Sequence, residues 1–302
     1  MLKIGIIGLG DIAQKAYLPV ISKKNVEVHL FSRNEATLSQ VSKLYRFEHV
    51  HQSLDSLIKS GIKGAFVHSS TSSHFSIVEQ LLLNNIHVFV DKPLTYEFTS
   101  SEKLIILADK KNLILFVGFN RRYAPLYVQL KTLQEVNMII MQKNRNRLPD
   151  DVRKFVFDDF IHVIDTLLFL FPYSIDKINV TGKKEGNMLY HVIVQFVAAN
   201  GATAIGIMNR DSGTVEERLE VFSPASKNVV YNMSEFVVLQ DKSETKFGSD
   251  DWAPTLYKRG FEQIVDEFLR NVEAGVPTKS IYEQNLLTHK ICEDVVTKLS
   301  ET

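Results

Sequence analysis

Residues 157–166 form a segment whose residue types and spacing could move a proton. It reads Phe-Asp-Asp-Phe-Ile-His-Val-Ile-Asp-Thr, and a helix would place Asp158, His162 and Asp165 on one face, at positions i, i+4 and i+7. Histidine titrates near neutral pH, so His162 could serve as a general acid or base. An unpaired buried polar group costs about 1–3 kcal/mol, so this polar stripe needs partners or a ligand. Capping of the helix by Asp158 or Asp159 is the alternative.

A lone lysine stands where a hydrophobic run stops. Residues 86–90 predict a buried strand, and Asp91-Lys92-Pro93 follows directly. In a sheet of parallel strands the ligand lies beyond the carboxyl ends, so Lys92 would face it. An ammonium group there could stabilise negative charge on a substrate oxygen. A surface lysine at the start of a loop is the alternative.

The first predicted strand ends in a glycine-rich turn that opens a helix. The turn reads Gly8-Leu9-Gly10-Asp11-Ile12-Ala13, the fingerprint of a dinucleotide site with alanine in the last position. The first glycine permits the tight turn, the second lets a pyrophosphate approach the backbone, and the helix dipole faces the phosphates. We predict cofactor contacts from Gly8, Gly10, Asp11, Ile12 and Ala13.

Two further segments bear on the cofactor. At the end of the second strand, Ser32 and Arg33 stand where a carboxylate would bind the ribose of NAD(H), and they suit the 2′-phosphate of NADP(H). We therefore favour NADP(H), while Glu35 keeps NAD(H) possible. After the fourth strand, hydroxyl groups could cap a helix and contact the cofactor, and the candidates are Ser69, Ser70, Thr71 and His74. For His74, packing at the helix start is the alternative.

Elements that could position these groups follow two successive patterns. Up to about residue 118, short β-branched runs alternate with amphipathic ones, which predicts parallel βαβ units. The predicted strands are 3–7, 26–31, 47–50, 64–67, 86–90 and 114–117. Later, beyond a predicted strand at 138–142, a polar loop at 144–151 and a helix at 159–171, period-two alternation dominates. Those strands are predicted at 175–181, 189–197, 203–208, 217–222, 229–232 and 236–239.

The predicted fold is thus an α/β Rossmann domain with a doubly wound parallel sheet, followed by an α+β domain with a large, mostly antiparallel, open-faced sheet. We place the dinucleotide-binding domain at residues 1–120 and a substrate-binding and oligomerisation domain at residues 121–302. Few helices can cover only one face of the second sheet, so we expect a homodimer or homotetramer that uses this sheet.

Composition excludes several classes of protein. The chain has 302 residues, and its 35 basic residues balance 35 acidic ones, so no nucleic acid or anionic membrane is expected as a partner. The single cysteine, Cys292, excludes an internal disulfide and fits a reducing compartment, so we predict a cytoplasmic protein. We predict no signal peptide, no membrane span and no metal site.

These motifs resemble the glucose–fructose oxidoreductase, inositol dehydrogenase and MocA (Gfo/Idh/MocA) family, and more closely its MviM-like, virulence-factor-like branch. The resemblance rests on the glycine turn, the segment 69–74, Asp91-Lys92-Pro93 in place of Glu-Lys-Pro, the segment 118–127, and Asp158 four residues before His162. It is dense up to residue 127 and over 157–170. Phe160 departs from the family pattern, which usually has glycine there.

The resemblance implies an NAD(P)-dependent oxidoreductase acting on a hydroxyl or keto carbon of a sugar, cyclitol or related polyol. It implies that Lys92 contacts the substrate oxygen and the nicotinamide side, that Asp158 positions the substrate, and that His162 is the acid or base. By the same resemblance we expect cofactor contacts from Asp91 and Asn120 and substrate contact from Arg122. The alternative is a dinucleotide-binding sensor without turnover.

Basic residues near residue 120 and in the predicted loop could select an anionic sugar. An exposed charge cluster is the favoured alternative, because such side chains prefer the surface. The residues concerned are Arg121, Arg122, Lys143, Arg145 and Arg147.

Overall fold

The fold is taken from a computed structural model, which describes residues 1–248, 252–276 and 279–301. The strands are β1 Leu2–Ile7, β2 Val26–Phe31, β3 His49–His51, β4 Gly64–Val67, β5 His87–Val90, β6 Leu115–Val117, β7 Met138–Asn146, β8 Asp150–Asp151, β9 Lys177–Glu185, β10 Met188–Val197, β11 Thr203–Ser212, β12 Glu216–Phe222, β13 Lys227–Tyr231, β14 Glu235–Gln240 and β15 Ser243–Phe247. The α-helices are α1 Leu18–Ile21, α2 Glu35–Tyr45, α3 Leu54–Lys59, α4 Thr71–Leu83, α5 Phe98–Lys110, α6 Pro125–Leu130, α7 Val152–Lys154, α8 Ile161–Leu170, α9 Thr255–Lys258, α10 Phe261–Ala274 and α11 Lys279–Ser300. Two π-helical turns, Ala13–Tyr17 and Phe155–Phe160, and a 3₁₀ turn, Asn120–Tyr123, complete these elements.

The chain divides into two compact units. The first comprises residues 1–118 and 261–287, and the second comprises residues 119–260 and 288–302. Within the ranges that the structure describes, no helix combines the length and the apolar character needed to cross a membrane.

The first unit is built on a parallel six-stranded sheet in the order β3-β2-β1-β4-β5-β6. This order confirms the predicted doubly wound sheet, whose strand order reverses between β1 and β4. Strand β4 is buried on both faces. A Cβ on Gly64 would lie 3.4 Å from the ring of Phe268, so α10 packs directly against the centre of this sheet. The face under α10 is aromatic, with Phe66 and Phe89 both 5.0–5.6 Å from Phe268.

The second unit is built on a nine-stranded sheet with the path β15-β14-β13-β12-β7-β11-β10-β8, and β9 pairs with β10. Every pair is antiparallel except β7 with β11, so the predicted mostly antiparallel sheet is confirmed. Helix α8 covers one face, since a Cβ on Gly206 of β11 would lie 2.8 Å from Val163.

Three predictions for the second sheet were wrong in detail. Strands β8 and β15 were missed because they are short and polar, without apolar alternation. Strand β7 does not stop at residue 142 but continues to Asn146 through the predicted polar loop. It continues because both its neighbours do, pairing Lys143 and Asn144 with β11 and β12.

Candidate active site

The turn after β1 has the geometry that the fingerprint predicts. Gly8 has a φ of +84°, which residues with a side chain rarely adopt. A Cβ on Gly8 would lie only 2.6 Å from the backbone nitrogen of Ser69, so this turn packs directly against the loop after β4. Around Gly10, by contrast, no described heavy atom beyond its chain neighbours lies within 4 Å of the Cβ position. The backbone at Gly10 can therefore be approached by a pyrophosphate.

The residues after Gly10 separate into a surface pair and a core residue. Asp11 is exposed and pairs with Lys15 at 2.7 Å, and Ile12 is 37% exposed. Ala13 is fully buried where the π-helical turn begins. Asp11 and Ile12 thus lie at the surface of the turn, whereas Ala13 is placed for the close packing that the last fingerprint position provides.

Both candidates for the nucleotide ribose lie at the carboxyl end of β2. Ser32 is half-buried, and its Oγ accepts a hydrogen bond from the Asn34 amide at 3.3 Å. Arg33 is exposed and makes no ion pair with any residue that the structure describes. Glu35 is also exposed and begins α2, which Asn34 caps by accepting from the Thr37 amide at 3.0 Å. The Arg33 guanidinium and the Glu35 carboxylate are thus both exposed just beyond the carboxyl end of β2.

The hydroxyl-rich segment opens α4. Ser69 is half-buried and accepts a hydrogen bond from Ser73 at 2.9 Å. Ser70 is exposed at the cap position, and Thr71 is the first residue of the helix. Because β4 adjoins β1 in the sheet, the loop after β4 lies beside the glycine turn, where a Cβ on Gly8 would meet the backbone of Ser69.

His74 has a positioning role. Its ring is 1% exposed. Nδ1 lies 2.9 Å from the Pro93 carbonyl oxygen, and Nε2 lies 3.0 Å from the Ser69 carbonyl oxygen. Both nitrogens therefore face backbone, which supports the packing alternative, and the cofactor contact of His74 stays a prediction. The ring ties the loop after β4 to the loop that carries Lys92.

Lys92 lies where the sequence predicts, directly after β5 on the carboxyl edge of the parallel sheet. Its backbone amide donates to Asp91 Oδ1 at 2.9 Å, and the Lys92–Pro93 peptide is cis. Burial raises the pKa of Asp91, against the opposing effect of the Lys92 charge. The Tyr17 hydroxyl lies close by, since a Cβ on Gly118 would be 2.9 Å from it and 3.0 Å from Asp91 Oδ1. Burial, and after it the Asp91 charge, raises the pKa of Tyr17 well above its ordinary value.

Asn120 belongs to the second unit, and its side chain is structural. It is 4% exposed, and Nδ2 donates to the Arg259 carbonyl at 2.8 Å. The next residue, Gly260, has a φ of +79°, and a Cβ there would lie 2.2 Å from the Asn120 carbonyl oxygen. Two backbone segments thus pack tightly at Asn120, and its cofactor contact stays a prediction.

Asp158 and His162 lie on the helical segment formed by the second π-helical turn and α8. Asp158 is half-buried within the π-helical turn, and His162 is 9% exposed in the first turn of α8. A π-helical turn inserts an extra residue into a helix and often occurs at functional sites. Both side chains make contacts with their surroundings. The stripe therefore begins inside an irregular turn and not on the regular helix that the spacing predicted.

Asp165 is satisfied by a structural partner. It is 1% exposed, and Nε of Arg122 lies 3.1 Å from both of its carboxylate oxygens. Thr288 donates to Oδ1 at 3.1 Å. The Arg122 guanidinium also lies 4.9 Å from the centroid of the Phe119 ring. The third member of the polar stripe is thus an ion-pair residue. Arg122 has this carboxylate as a partner, and its substrate contact stays a prediction.

A buried ion cluster that the sequence did not predict adjoins Asp158. Asp159 accepts hydrogen bonds from Lys143 Nζ at 2.5 Å and from Arg145 Nε at 2.9 Å. Although burial acts to raise it, the pKa of Asp159 is held well below its usual range by these two cations. Burial, together with the Arg121 charge, lowers the pKa of Lys143 to about 7.

Arg121 and Glu217 extend the cluster across the second sheet. Arg121 Nε donates to Glu217 at 2.9 Å, and the Tyr127 hydroxyl donates to the same oxygen at 2.9 Å. The pKa of Glu217 falls to about 2, because the Arg121 charge outweighs the effect of burial. The expectation of an exposed loop cluster was therefore wrong for Arg121 and Lys143, which are 6% and 3% exposed.

Two family models match this chain. Residues 2–119 match the family model described as "Oxidoreductase family, NAD-binding Rossmann fold" (GFO_IDH_MocA), and residues 125–241 match "YceM-like, C-terminal domain". "Putative oxidoreductase YceM" of Salmonella typhimurium is 33% identical, over 97% of this chain and 96% of its own length. The chain belongs to the Gfo/Idh/MocA oxidoreductase family.

Two further proteins are similar to this Gfo/Idh/MocA chain over more than nine-tenths of its length. A crystal structure of the dehydrogenase MviM from Clostridium difficile superposes with a TM-score of 0.92 at 32% identity, covering 98% of this chain and 99% of that one. Myo-inositol 2-dehydrogenase of Thermotoga maritima is 23% identical over 91% of this chain and 90% of its own length. The relatives are named as oxidoreductases and dehydrogenases, and nothing among them supports the alternative of a sensor without turnover.

Phe160 is the position at which the chain departs from the Gfo/Idh/MocA pattern. Its side chain is fully buried, at 0% exposure, and it closes the π-helical turn that carries Asp158. The ring therefore fills the core of the second unit. The Phe160 ring packs in the core beneath the helix. It does not occupy the surface beside Asp158.

Proposed function

We propose that the chain transfers a hydride between a nicotinamide cofactor, preferably NADP(H), and a hydroxyl or keto carbon of a sugar, cyclitol or related polyol. The observation that carries the proposal is the placement of the Gly8–Gly10 turn and Lys92 on one carboxyl edge, at strands β1 and β5 with β4 between them. The likeness to the Thermotoga maritima myo-inositol 2-dehydrogenase supports the substrate class.

In the proposed reaction the protein must transfer the hydroxyl proton and stabilise the negative charge on the substrate oxygen. In the oxidation direction, His162 accepts the hydroxyl proton as the carbon loses its hydride, and in reduction it returns that proton to the alkoxide. The Lys92 ammonium stabilises the negative charge on the same oxygen. Asp158, from the π-helical turn, orients the substrate or the His162 ring.

The bound nicotinamide supplies or accepts the hydride. The open backbone at Gly10 and the adjacent hydroxyls of Ser69, Ser70 and Thr71 fit a pyrophosphate. Exposed Arg33 beside Ser32 favours a ribose 2′-phosphate, because a guanidinium grips a phosphate with two hydrogen bonds. Glu35 in the same surface keeps NAD(H) as the alternative.

We also propose separate roles for the two parts of the chain. Residues 1–120 carry the cofactor, and residues 121–302 carry the substrate contacts and a homodimer or homotetramer interface on the large sheet. Ile193 of β10 is 36% exposed, which supports an interface on the face away from α8. A cytoplasmic location fits the single thiol, Cys292, which is buried.

The decisive experiment titrates NADPH and NADH into the purified chain by fluorescence and then screens sugars, cyclitols and polyols for turnover. Lys92→Met and His162→Ala should keep cofactor affinity within about threefold and lower turnover by at least about 100-fold, the usual range for a lost acid–base group. Lys43→Met and His191→Ala, on α2 and β10, are the matched controls. Turnover that survives in both active-site variants would refute the assignment.

Cofactor choice has its own test. Removing the Arg33 guanidinium with Arg33→Gln should weaken NADPH about tenfold or more and leave NADH nearly unchanged. Glu35→Gln serves as the partner variant, since it should affect NADH alone if the carboxylate binds the ribose. Equal losses for both cofactors in Arg33→Gln would contradict the preference for NADP(H).

A further inference from the structure

Four side chains that the proposed function does not use form a cluster at the edge of the parallel sheet. Glu27 and His29 alternate on β2, and His49 and His51 alternate on β3. His29 is paired directly with His49 across the two parallel strands. The alternation puts all four side chains on one face of the sheet. The histidine rings are stacked, with the His29 centroid 4.5 Å from His49 and 5.2 Å from His51.

The geometry points to a binding site for a transition-metal dication, such as Zn²⁺, with Glu27, His29 and His49 as ligands. One ligand atom from each of these residues lies within 4.8 Å of the others. Glu27 Oε1 is 2.8 Å from His29 Nε2 and 3.7 Å from His49 Nε2. These separations bracket the roughly 3.3 Å between ligands of a tetrahedral zinc with bonds of about 2.0–2.1 Å. Imidazole and carboxylate donors suit Zn²⁺.

The neighbouring groups give His29 the hydrogen-bond support that metal-binding histidines commonly have. His29 Nδ1 lies 2.9 Å from His51 Nε2, and His51 Nδ1 lies 3.1 Å from the Ser56 hydroxyl on α3. With a metal on His29 Nε2, the protons stand on Nδ1 of both rings, so that His29 donates to His51 and His51 donates to Ser56. Without a metal, the reversed chain runs from Ser56 through both rings to Glu27. Each ring keeps one proton in both states and only changes the nitrogen that carries it.

The burial of the three ligands suits an accessible metal. His29 is 4% exposed and held in place, whereas the His49 side chain is 47% exposed and the Glu27 side chain 25%. The fourth position can therefore be taken by water, as in open three-ligand sites. Strand β3 has only three residues and lies at the edge of the sheet. A metal held by β2 and β3 would clip this short edge strand to the rest of the sheet.

One neighbouring charge opposes the metal. Lys3 Nζ lies 3.3 Å from Glu27 Oε1, and its side chain is 43% exposed, so it can turn toward solvent when a cation arrives. Removing this charge should tighten metal binding by about five- to tenfold, by relief of Coulombic repulsion. A histidine cluster that serves only as a hydrogen-bond network would not respond in this way.

The site is independent of the proposed cofactor edge. His29, the ligand nearest that edge, lies three residues before Ser32, about 10 Å along the strand and toward its amino end. From the sequence we predicted no metal site, because the ligands come from two strands that become neighbours only in the sheet. Activity of the enzyme therefore does not enter the test.

The test uses the untagged full chain, stripped of metal and titrated with Zn²⁺ by calorimetry, with elemental analysis for stoichiometry and Co²⁺ absorption for coordination. We expect one Zn²⁺ per chain, an intense tetrahedral Co²⁺ spectrum, and a higher melting temperature with Zn²⁺. His49→Ala and Glu27→Gln, both at accessible positions, should each weaken binding at least about tenfold. Lys3→Met should strengthen it, and His191→Ala should leave it unchanged.

Three results would each overturn the inference. They are less than stoichiometric Zn²⁺ on the wild-type chain, equal affinity in wild type, His49→Ala and Glu27→Gln, and a weak octahedral Co²⁺ spectrum. Circular dichroism of each variant without metal verifies that the fold is retained, so that loss of binding reports the ligand and not unfolding.

Discussion

At the scale of single residues, the two glycines of the first turn have opposite environments. Gly8 is required by the fold, because its φ of +84° and the 2.6 Å approach to Ser69 leave no room for a side chain. Gly10 is not required by the fold, because the space where its Cβ would lie is open. Gly10 is therefore explained by a ligand: the dinucleotide fingerprint has glycine there so that a pyrophosphate can approach the backbone.

This contrast gives the first prediction. Gly10→Ala should leave the melting temperature unchanged and weaken NADPH binding at least about tenfold, since the added methyl group occupies the space that the pyrophosphate needs. Gly8→Ala should destabilise the protein by about 1–3 kcal/mol or more, from backbone strain. Thermal denaturation and cofactor fluorescence measure the two effects. Normal cofactor affinity in Gly10→Ala would refute the prediction that the pyrophosphate approaches the backbone at Gly10.

The two aspartates of the polar stripe give the second prediction. Asp165→Asn should cost about 3–5 kcal/mol, because it leaves the Arg122 charge buried without its counter-charge. Asp158→Asn should retain most of the stability and lower turnover at least about tenfold. Urea denaturation and steady-state kinetics on the same pair of variants separate the roles. Loss of turnover without loss of stability in Asp165→Asn would reverse our assignment.

At the scale of elements, buried charges connect the strands of the second sheet to neighbouring segments. Lys143 on β7 binds Asp159 in the π-helical turn, and Glu217 on β12 binds Arg121 in the 3₁₀ turn. Buried ion pairs add little net stability, but removing one partner is costly. The cluster therefore specifies how the helix that bears Asp158 and His162 is placed on the sheet.

Acid should weaken this cluster in a defined range of pH. The folded-state pKa of Glu217 is about 2, below its ordinary 4.5, so its contribution of about 3 kcal/mol is present above pH 4.5 and is lost as the pH falls toward 2. Glu217→Gln should be strongly destabilised at neutral pH, and its difference from wild type should shrink in acid. Urea denaturation between about pH 7 and pH 2.5 measures it.

Glu48→Gln, at an exposed position, is the matched control for this titration. Its difference from wild type should stay small over the whole range, as is usual for exposed charges. A difference between Glu217→Gln and wild type that does not change with pH would show that the Glu217 carboxylate titrates at the same pH in the folded and unfolded chain.

At the scale of the whole molecule, each compact unit draws on distant parts of the chain. The parallel sheet is formed by residues before 118, yet α10, which packs on its centre, begins at Phe261. Tyr282, from the first half of α11, also donates to the Leu113 carbonyl in the first unit. The first unit therefore cannot fold completely until the chain has been synthesised through α10 and the first half of α11.

Cofactor binding should stabilise the unit that binds it. At a concentration 100 times its Kd, NADPH should add about 2.7 kcal/mol to the stability of the first unit, by mass action. In calorimetry we expect the transition of this unit to move to higher temperature, and Gly10→Ala to reduce the shift. An undiminished shift in Gly10→Ala would mean that the stabilising ligand binds elsewhere.

The parallel sheet, the glycine turn and the position of Lys92 were all predictable from the order of residues along the chain. Those features depend on local periodicity and on strand ends, which residues near one another in the chain specify. The mostly antiparallel second sheet was predictable for the same reason, except for its short polar strands β8 and β15.

The pairing of the polar groups, by contrast, depends on the folded chain. Asp165 meets Arg122 from 43 residues away, and Glu217 meets Arg121 from 96 residues away. The histidines of β2 and β3 likewise meet only through the register of the sheet. Such partners depend on strand order and burial, which local patterns do not encode, so the chemistry of Asp165, Lys143 and the Glu27–His29–His49 site became visible only in the folded chain.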